Sequence, residues 1–162
     1  MAQWDDEKWL LEQNAAENFV QALNARSGTA YRVLLHSDRP DVVIEDVQSC
    51  HKIWVEVAHL FYDAEEARIL LGRSDGRHSE ENIKIYIYRL NQLLQQKSEK
   101  ASGYSYAGDL ALLIRVASPI FGVEDFNQYE KLIELPISPY TYIWLLFFDF
   151  ASQKWDIIKH LS

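Results

Sequence analysis

Hydrophobic residues in the first third of the chain recur first at helical spacing and then at strand spacing. Between residues 5 and 25, apolar side chains return every three or four positions, which predicts an amphipathic helix that Gly28 ends. Three short runs then have the β-branched and aromatic content of strands, and turn residues separate them. They span residues 30–36, 41–47 and 52–60. Strands in such close succession predict an antiparallel meander.

Helical and strand patterns alternate over the rest of the chain. Residues 63–71 and 79–101 predict two helices, and the almost wholly apolar run at 109–116 predicts a central strand covered on both faces. A further helix is expected at 123–135, before a closing β-hairpin formed by 140–150 and 154–161. Because no repeat or linker interrupts the order, we expect one α/β domain with a mixed sheet over residues 1–162.

Composition narrows the class of protein. The chain has 162 residues, of which 48% are hydrophobic, so it can bury a full core and is not of the disordered class. Its longest apolar run, residues 140–148, is about half of a membrane-spanning helix, and its acidic start has no apolar signal core. The single Cys50 excludes an internal disulfide and a zinc ribbon. We therefore expect a cytoplasmic protein with no membrane association.

The formal net charge of −8 opposes nucleic-acid binding, because most autonomous DNA-binding domains carry a basic footprint. A local basic face nevertheless stays open, since basic residues are frequent in the middle third of the chain. Among them are Arg68, Arg73, Arg77, Arg89, Lys97 and Lys100.

One acid stands alone inside an apolar run, and this is the strongest chemical signal in the sequence. Glu56 lies within residues 53–58, where burying an unpaired charge would cost several kcal/mol. Asp41 stands about fifteen positions earlier, directly after Pro40 and at the start of another apolar run. We interpret Asp41 and Glu56 as two halves of a site for a hard divalent cation, which prefers carboxylate oxygens. The alternative is a turn Asp and an edge-strand Glu.

The Pro40-Asp41 pair and the later Trp54-Val55-Glu56-Val57-Ala58 segment resemble the motif of the PD-(D/E)xK nuclease superfamily. The resemblance implies a restriction-endonuclease-like core of order α-β-β-β-α-β over about residues 8–116. Residues 117–162 would be an elaboration made of a helix and a β-hairpin. It also implies Mg²⁺ or Mn²⁺ as cofactor, nucleic acid as substrate and hydrolysis of a phosphodiester bond, a reaction in which the cation activates water.

The sequence departs from this family at Ala58, where the family's pattern has a Lys. In the superfamily that Lys migrates to other elements, and Lys97 is the first substitute because it continues the apolar stripe of the second long helix. Lys52, on the same strand face as Glu56, is the second candidate, and Lys100 is the third. In many members of the superfamily, a helix also carries an acid that lies near the metal.

On the first helix, Glu17 would take this metal-binding role, with Glu12 as its rival. The expected site therefore comprises Asp41, Glu56 and Lys97 for catalysis, with Asp41, Glu56 and Glu17 as metal ligands.

Two other classes of protein remain open. Ala58 and the acidic charge favour a catalytically inactive nuclease-fold protein that serves as a protein-binding or regulatory module. Alternatively, the domain is an unrelated α/β protein in which the Pro-Asp and the Glu coincide by chance. Nucleic acid is the expected partner of the enzyme, and a homodimer is left open. The five His residues have no ligand-type spacing, so zinc is not expected.

Overall fold

A mixed β-sheet, with its strands in the order of the chain, forms the centre of the molecule. The computed structural model describes residues 2–36, 42–62, 80–103, 108–118 and 120–162. Within these ranges six strands form one sheet. They are β1 (Tyr31–His36), β2 (Val42–Asp46), β3 (Lys52–Phe61), β4 (Asp109–Ala117), β5 (Tyr142–Asp149) and β6 (Lys154–His160).

The direction of the strands changes twice across the sheet. β1, β2 and β3 pair antiparallel, β4 and β5 continue parallel to β3, and β6 returns antiparallel to β5. The predicted meander and the closing hairpin are therefore confirmed. In register, Val42 of β2 lies opposite Val55 of β3, and Glu56 lies opposite Leu112 of β4. This pairing places Glu56 in the interior of the sheet.

Two long helices cover opposite faces of the sheet. α1 (Ala2–Ser27) packs its buried side chains against Ile53, Val55 and Val57, whereas α2 (Glu80–Ala101) packs against Ala58 and Leu60. The alternation follows from the two-residue period of a strand. α1 also contacts both edge strands, β1 and β6.

Backbone geometry at Gly28 ends α1. Gly28 has a φ of +66°, and its N–H donates to the Asn24 carbonyl oxygen at 2.9 Å. This left-handed conformation is the common stop of a helix and costs glycine little. The stop signal predicted at Gly28 is confirmed.

The C-terminal helix is shorter than the sequence pattern predicts. α3 spans Val123–Gln128 and is followed by one 3-10 turn, Glu130–Leu132, in place of a continuous helix to residue 135. Phe126 is the one fully buried side chain of α3, so no long apolar stripe holds a further turn against the core, and Pro136 follows closely. The helix predicted at 63–71 lies outside the described residues.

These elements form a single α/β domain with a mixed sheet, as predicted. β4 is buried on both faces, which confirms it as a central strand. None of the described helices combines the length and the apolarity that crossing a membrane requires.

Candidate functional site

Glu56 is a buried carboxylate in the middle of the sheet. Its side chain is 5% exposed, and it stands on the α2 face because it shares the strand period of Ala58 and Leu60. Its neighbour across the pairing is the fully buried Leu112. In this apolar setting an ionised carboxylate needs a partner of opposite charge and hydrogen-bond donors.

Lys97 of α2 supplies the opposite charge. Its Nζ lies 3.2 Å from Glu56 Oε1, although the two residues are 41 positions apart in the chain, and its side chain is 23% exposed. The amine therefore does not simply extend to solvent from the apolar stripe but reaches inward to the acid. The structure brings together Glu56 and the first of the three candidate lysines.

The other two candidate lysines lie elsewhere. Lys52 Nζ is 4.0 Å from Glu45 Oε2, and its side chain is 46% exposed. Lys100 is an exposed residue in the last turn of α2. Since Lys97 is the one of these three that contacts Glu56 in the described structure, it is the amine that the site contains.

Tyr140 completes the environment of Glu56. Its hydroxyl lies 3.1 Å from Glu56 Oε2 and 3.3 Å from the carbonyl oxygen of Lys97, so the single phenolic proton has two acceptors within reach. Tyr140 is 6% exposed and precedes β5. The site predicted from the sequence does not include Tyr140. A buried Tyr usually finds a partner for its O–H group, and this was the available signal.

A second buried hydroxyl belongs to the residue that follows Lys97 in the sequence. Ser98, the residue after Lys97, is 4% exposed, and its Oγ makes no hydrogen bond to the part of the chain that the structure describes. An unsatisfied buried hydroxyl costs about 1–3 kcal/mol. The last turns of α2 thus contain a buried hydroxyl next to the residue that pairs with Glu56.

The two remaining acids of the predicted site do not join Glu56 in the described structure. Asp41 lies outside the described residues; it precedes Val42 in sequence, and Val42 pairs with Val55, the neighbour of Glu56. Glu17 is a residue of α1, where it lines a cavity of about 230 Å³ with Arg115 and Trp155. Because α1 and α2 cover opposite faces, the sheet separates Glu17 from Glu56. The assignment of Glu17 as a ligand shared with Glu56 therefore does not fit.

Glu12 does not replace Glu17. It is a buried residue of α1, on the same side of the sheet as Glu17. An acid on α1 therefore cannot contact Glu56, because the sheet lies between α1 and the face that α2 covers.

The described groups around Glu56 include one of the carboxylates that the predicted metal site requires. Mg²⁺ takes one or two carboxylates together with waters and substrate phosphate oxygens. Within the described ranges, no three His, Cys, Asp or Glu side chains cluster in a way that could hold a metal ion. Glu56 offers one carboxylate, and its two oxygens bond to Lys97 and Tyr140. The second predicted carboxylate ligand, Asp41, lies outside the described residues.

Comparison of the chain with family models, with curated proteins and with solved structures gives no match in any of the three. The interpretation of the site rests accordingly on its own residues: a carboxylate, an amine and a phenol that meet under α2.

Proposed function

We propose that this protein is a nuclease-like enzyme that hydrolyses phosphodiester bonds of nucleic acid with the help of a divalent cation. The observation that carries the proposal is the 3.2 Å contact between Lys97 Nζ and Glu56 Oε1. The motif resemblance lacks its Lys at position 58, and Lys97 brings an amine to the same acid from α2. A charged pair inside an apolar core is costly to maintain, so its presence supports a role in chemistry.

Each residue has a distinct role in this proposal. Glu56 and Asp41 would hold Mg²⁺ or Mn²⁺, which when bound supplies Lewis-acid stabilisation of the phosphate and lowers the pKa of water. Lys97 would orient the attacking water and offset the charge that develops on the phosphate oxygens. Tyr140 fixes the orientation of the Glu56 carboxylate through its hydrogen bond to Oε2.

The order of the elements supports the same proposal. α1 is followed by the antiparallel meander β1–β2–β3, then α2, and then β4 parallel to β3. The order of these described elements supports the α-β-β-β-α-β core that the PD-(D/E)xK resemblance implies. Glu56 lies on β3, and Asp41 directly precedes β2 in the sequence.

A second candidate function is a catalytically inactive module of the same fold that binds another protein. The observation that favours it is that both carboxylate oxygens of Glu56 are already hydrogen-bonded within the chain rather than left free for a metal ion. Large apolar side chains near the outer side of α2 and the segment after α3 supply a surface of the kind that protein partners bind. They are Tyr88, Leu132, Leu135 and Ile137.

Cleavage assays with matched variants test the proposal. Wild-type protein is incubated with supercoiled plasmid and with single-stranded nucleic acid, in Mg²⁺, in Mn²⁺ and in excess chelator. We expect metal-dependent cleavage that falls at least about 100-fold in Asp41→Asn, Glu56→Gln and Lys97→Met. Lys52→Met, which removes an amine from the same strand face as Glu56, is the control and should retain activity.

Two results would count against the enzyme. Cleavage that persists in both Asp41→Asn and Glu56→Gln would remove the assigned roles. If the wild-type protein neither binds Mn²⁺ in isothermal titration nor retains nucleic acid at low salt, the inactive protein-binding module is the better description.

A further inference from the structure

A second polar chain lies on the α1 side of the sheet, at the end where β1, β3 and β4 begin. The Tyr31 hydroxyl is 2.7 Å from His51 Nδ1, and His51 Nε2 is 2.7 Å from Asp109 Oδ2. Thr141 Oγ1 donates to the other Asp109 oxygen at 3.4 Å. The His51 and Asp109 side chains are 39% and 35% exposed, so this chain reaches solvent. None of these residues belongs to the Glu56 site.

The carboxylate fixes the direction of the hydrogen bonds. The Asp109 carboxylate accepts, so His51 Nε2 is the donor of that hydrogen bond, and in the tautomer with its proton on Nε2 the Nδ1 atom accepts. Tyr31 consequently donates its one phenolic proton to His51. Burial raises the pKa of the Tyr31 phenol, and Asp46, Tyr142 and Asp109 raise it further, so the phenol keeps that proton at neutral pH. Toward any other group, the Tyr31 oxygen can act only as an acceptor.

Tyr31 also belongs to the wall of a cavity of about 220 Å³ at the C-terminal end of α1. Four of the lining side chains are aromatic: Phe19, Tyr31, Tyr142 and Trp144. Ile53 and Ala111 add apolar surface from β3 and β4, while Ser27 and Thr29 lie where α1 passes into β1. The cavity is therefore a mostly apolar, ring-lined space that shares one residue with a hydrogen-bond chain.

We propose that this cavity binds a small planar aromatic molecule carrying an N–H or O–H donor, which bonds to the Tyr31 oxygen. The lining and the volume of the cavity both fit such a ligand. Ligand sites are typically apolar concavities with a few placed polar groups. A cavity of about 150 Å³ lined by apolar side chains suffices for benzene, so about 220 Å³ admits one ring system with a small substituent.

Because the Tyr31 oxygen can only accept a hydrogen bond from a ligand, the site should bind a ligand with a donor more tightly than a ligand of the same shape that has only an acceptor. Since Tyr31 donates its phenolic proton to His51, a ligand that offers only an acceptor leaves the Tyr31 oxygen facing a lone pair. The unpaired acceptor on the cavity wall weakens the binding of such a ligand. Asp109 is a positioning residue in this scheme, since it sets the imidazole tautomer from outside the cavity.

Isothermal titration with two isosteres tests the proposal. Indole carries a ring N–H, and benzofuran has the same shape with an oxygen in that position. Titrations are run with the full chain at mildly alkaline pH. We expect saturable binding of indole and binding of benzofuran that is weaker by about tenfold.

Variants locate the binding and its polarity. Tyr31→Phe should bind both probes within about twofold of each other, because the acceptor is gone while the ring remains. Asp109→Asn, at a half-exposed position that tolerates substitution, should reduce the preference for indole by freeing the other imidazole tautomer. It provides a second variant in case Tyr31→Phe folds poorly. Thermal unfolding of each variant confirms that it is folded.

The proposal is overturned by any of three results. They are the absence of saturable indole binding to folded wild-type protein, a preference for benzofuran, and a preference for indole that survives in folded Tyr31→Phe.

Discussion

The two faces of the sheet carry polar clusters with similar groups in different surroundings. Under α2, Glu56, Lys97 and Tyr140 meet inside the core, where the acid is 5% exposed. On the α1 side, His51 and Asp109 form a pair whose side chains are more than a third exposed. Burial, more than the identity of the groups, decides what such a cluster can do. The buried acid depends on each of its partners, whereas the exposed pair can lose one partner to water.

Removing the amine from the buried cluster should have the largest effect on stability. Lys97→Met leaves Glu56 as an uncompensated buried charge, and we expect the free energy of unfolding to fall by about 3 kcal/mol at neutral pH. Denaturant titration followed by circular dichroism measures it. The double variant Glu56→Gln/Lys97→Met should lose less than Lys97→Met alone, because no orphaned charge remains. A single variant as stable as the wild type would mean that Glu56 is neutral or hydrated.

Removing the phenol should have an intermediate effect. Tyr140→Phe deletes the donor to Glu56 Oε2 while keeping the ring in the core, and a hydrogen bond to a charged group contributes about 1.5 kcal/mol or somewhat more. The same unfolding measurement detects this loss. Tyr129→Phe is the matched control, since Tyr129 is partly buried against the same core cluster. Equal losses in the two variants would show that the Tyr140 hydroxyl contributes nothing specific.

Breaking the exposed pair should have the smallest effect. Asp109→Asn weakens the hydrogen bond to His51 Nε2, and because both side chains are more than a third exposed, water can replace it; we expect a loss below about 1 kcal/mol. Denaturant titration of Asp109→Asn beside Lys97→Met measures both losses. If Asp109→Asn is the more damaging of the two, the ranking by burial is wrong.

Local patterns in the sequence identify Glu56 and Lys97 but not Tyr140, the third residue of the buried cluster. Glu56 interrupts a strand-like apolar run and Lys97 stands on the apolar stripe of a helix, so periodicity marks each of them as a charge facing the core. Tyr140 is 84 positions from Glu56, and its contact depends on where the loop before β5 crosses α2. No periodic signal carries that information.

The error at Glu17 has a related cause. Helical periodicity correctly places Glu17 near the border of the buried stripe of α1, but it does not say which face of the sheet the helix covers. The Tyr31–His51–Asp109 chain was missed because its members come from three separate segments. They meet only once the register of β1 to β4 is fixed.

The contact of α1 with both edge strands has a consequence for how the chain folds. During synthesis α1 emerges before any strand, whereas β6 emerges after all the others. Arg26 near the end of α1 donates from Nη1 to the Ile158 carbonyl oxygen at 3.2 Å, a contact 132 positions apart. The helix therefore cannot complete its docking until the last strand has paired, and contacts of such long range slow folding. Until then the part of α1 that packs against β6 lacks its partner, although its contacts with β1, β2 and β3 can already form.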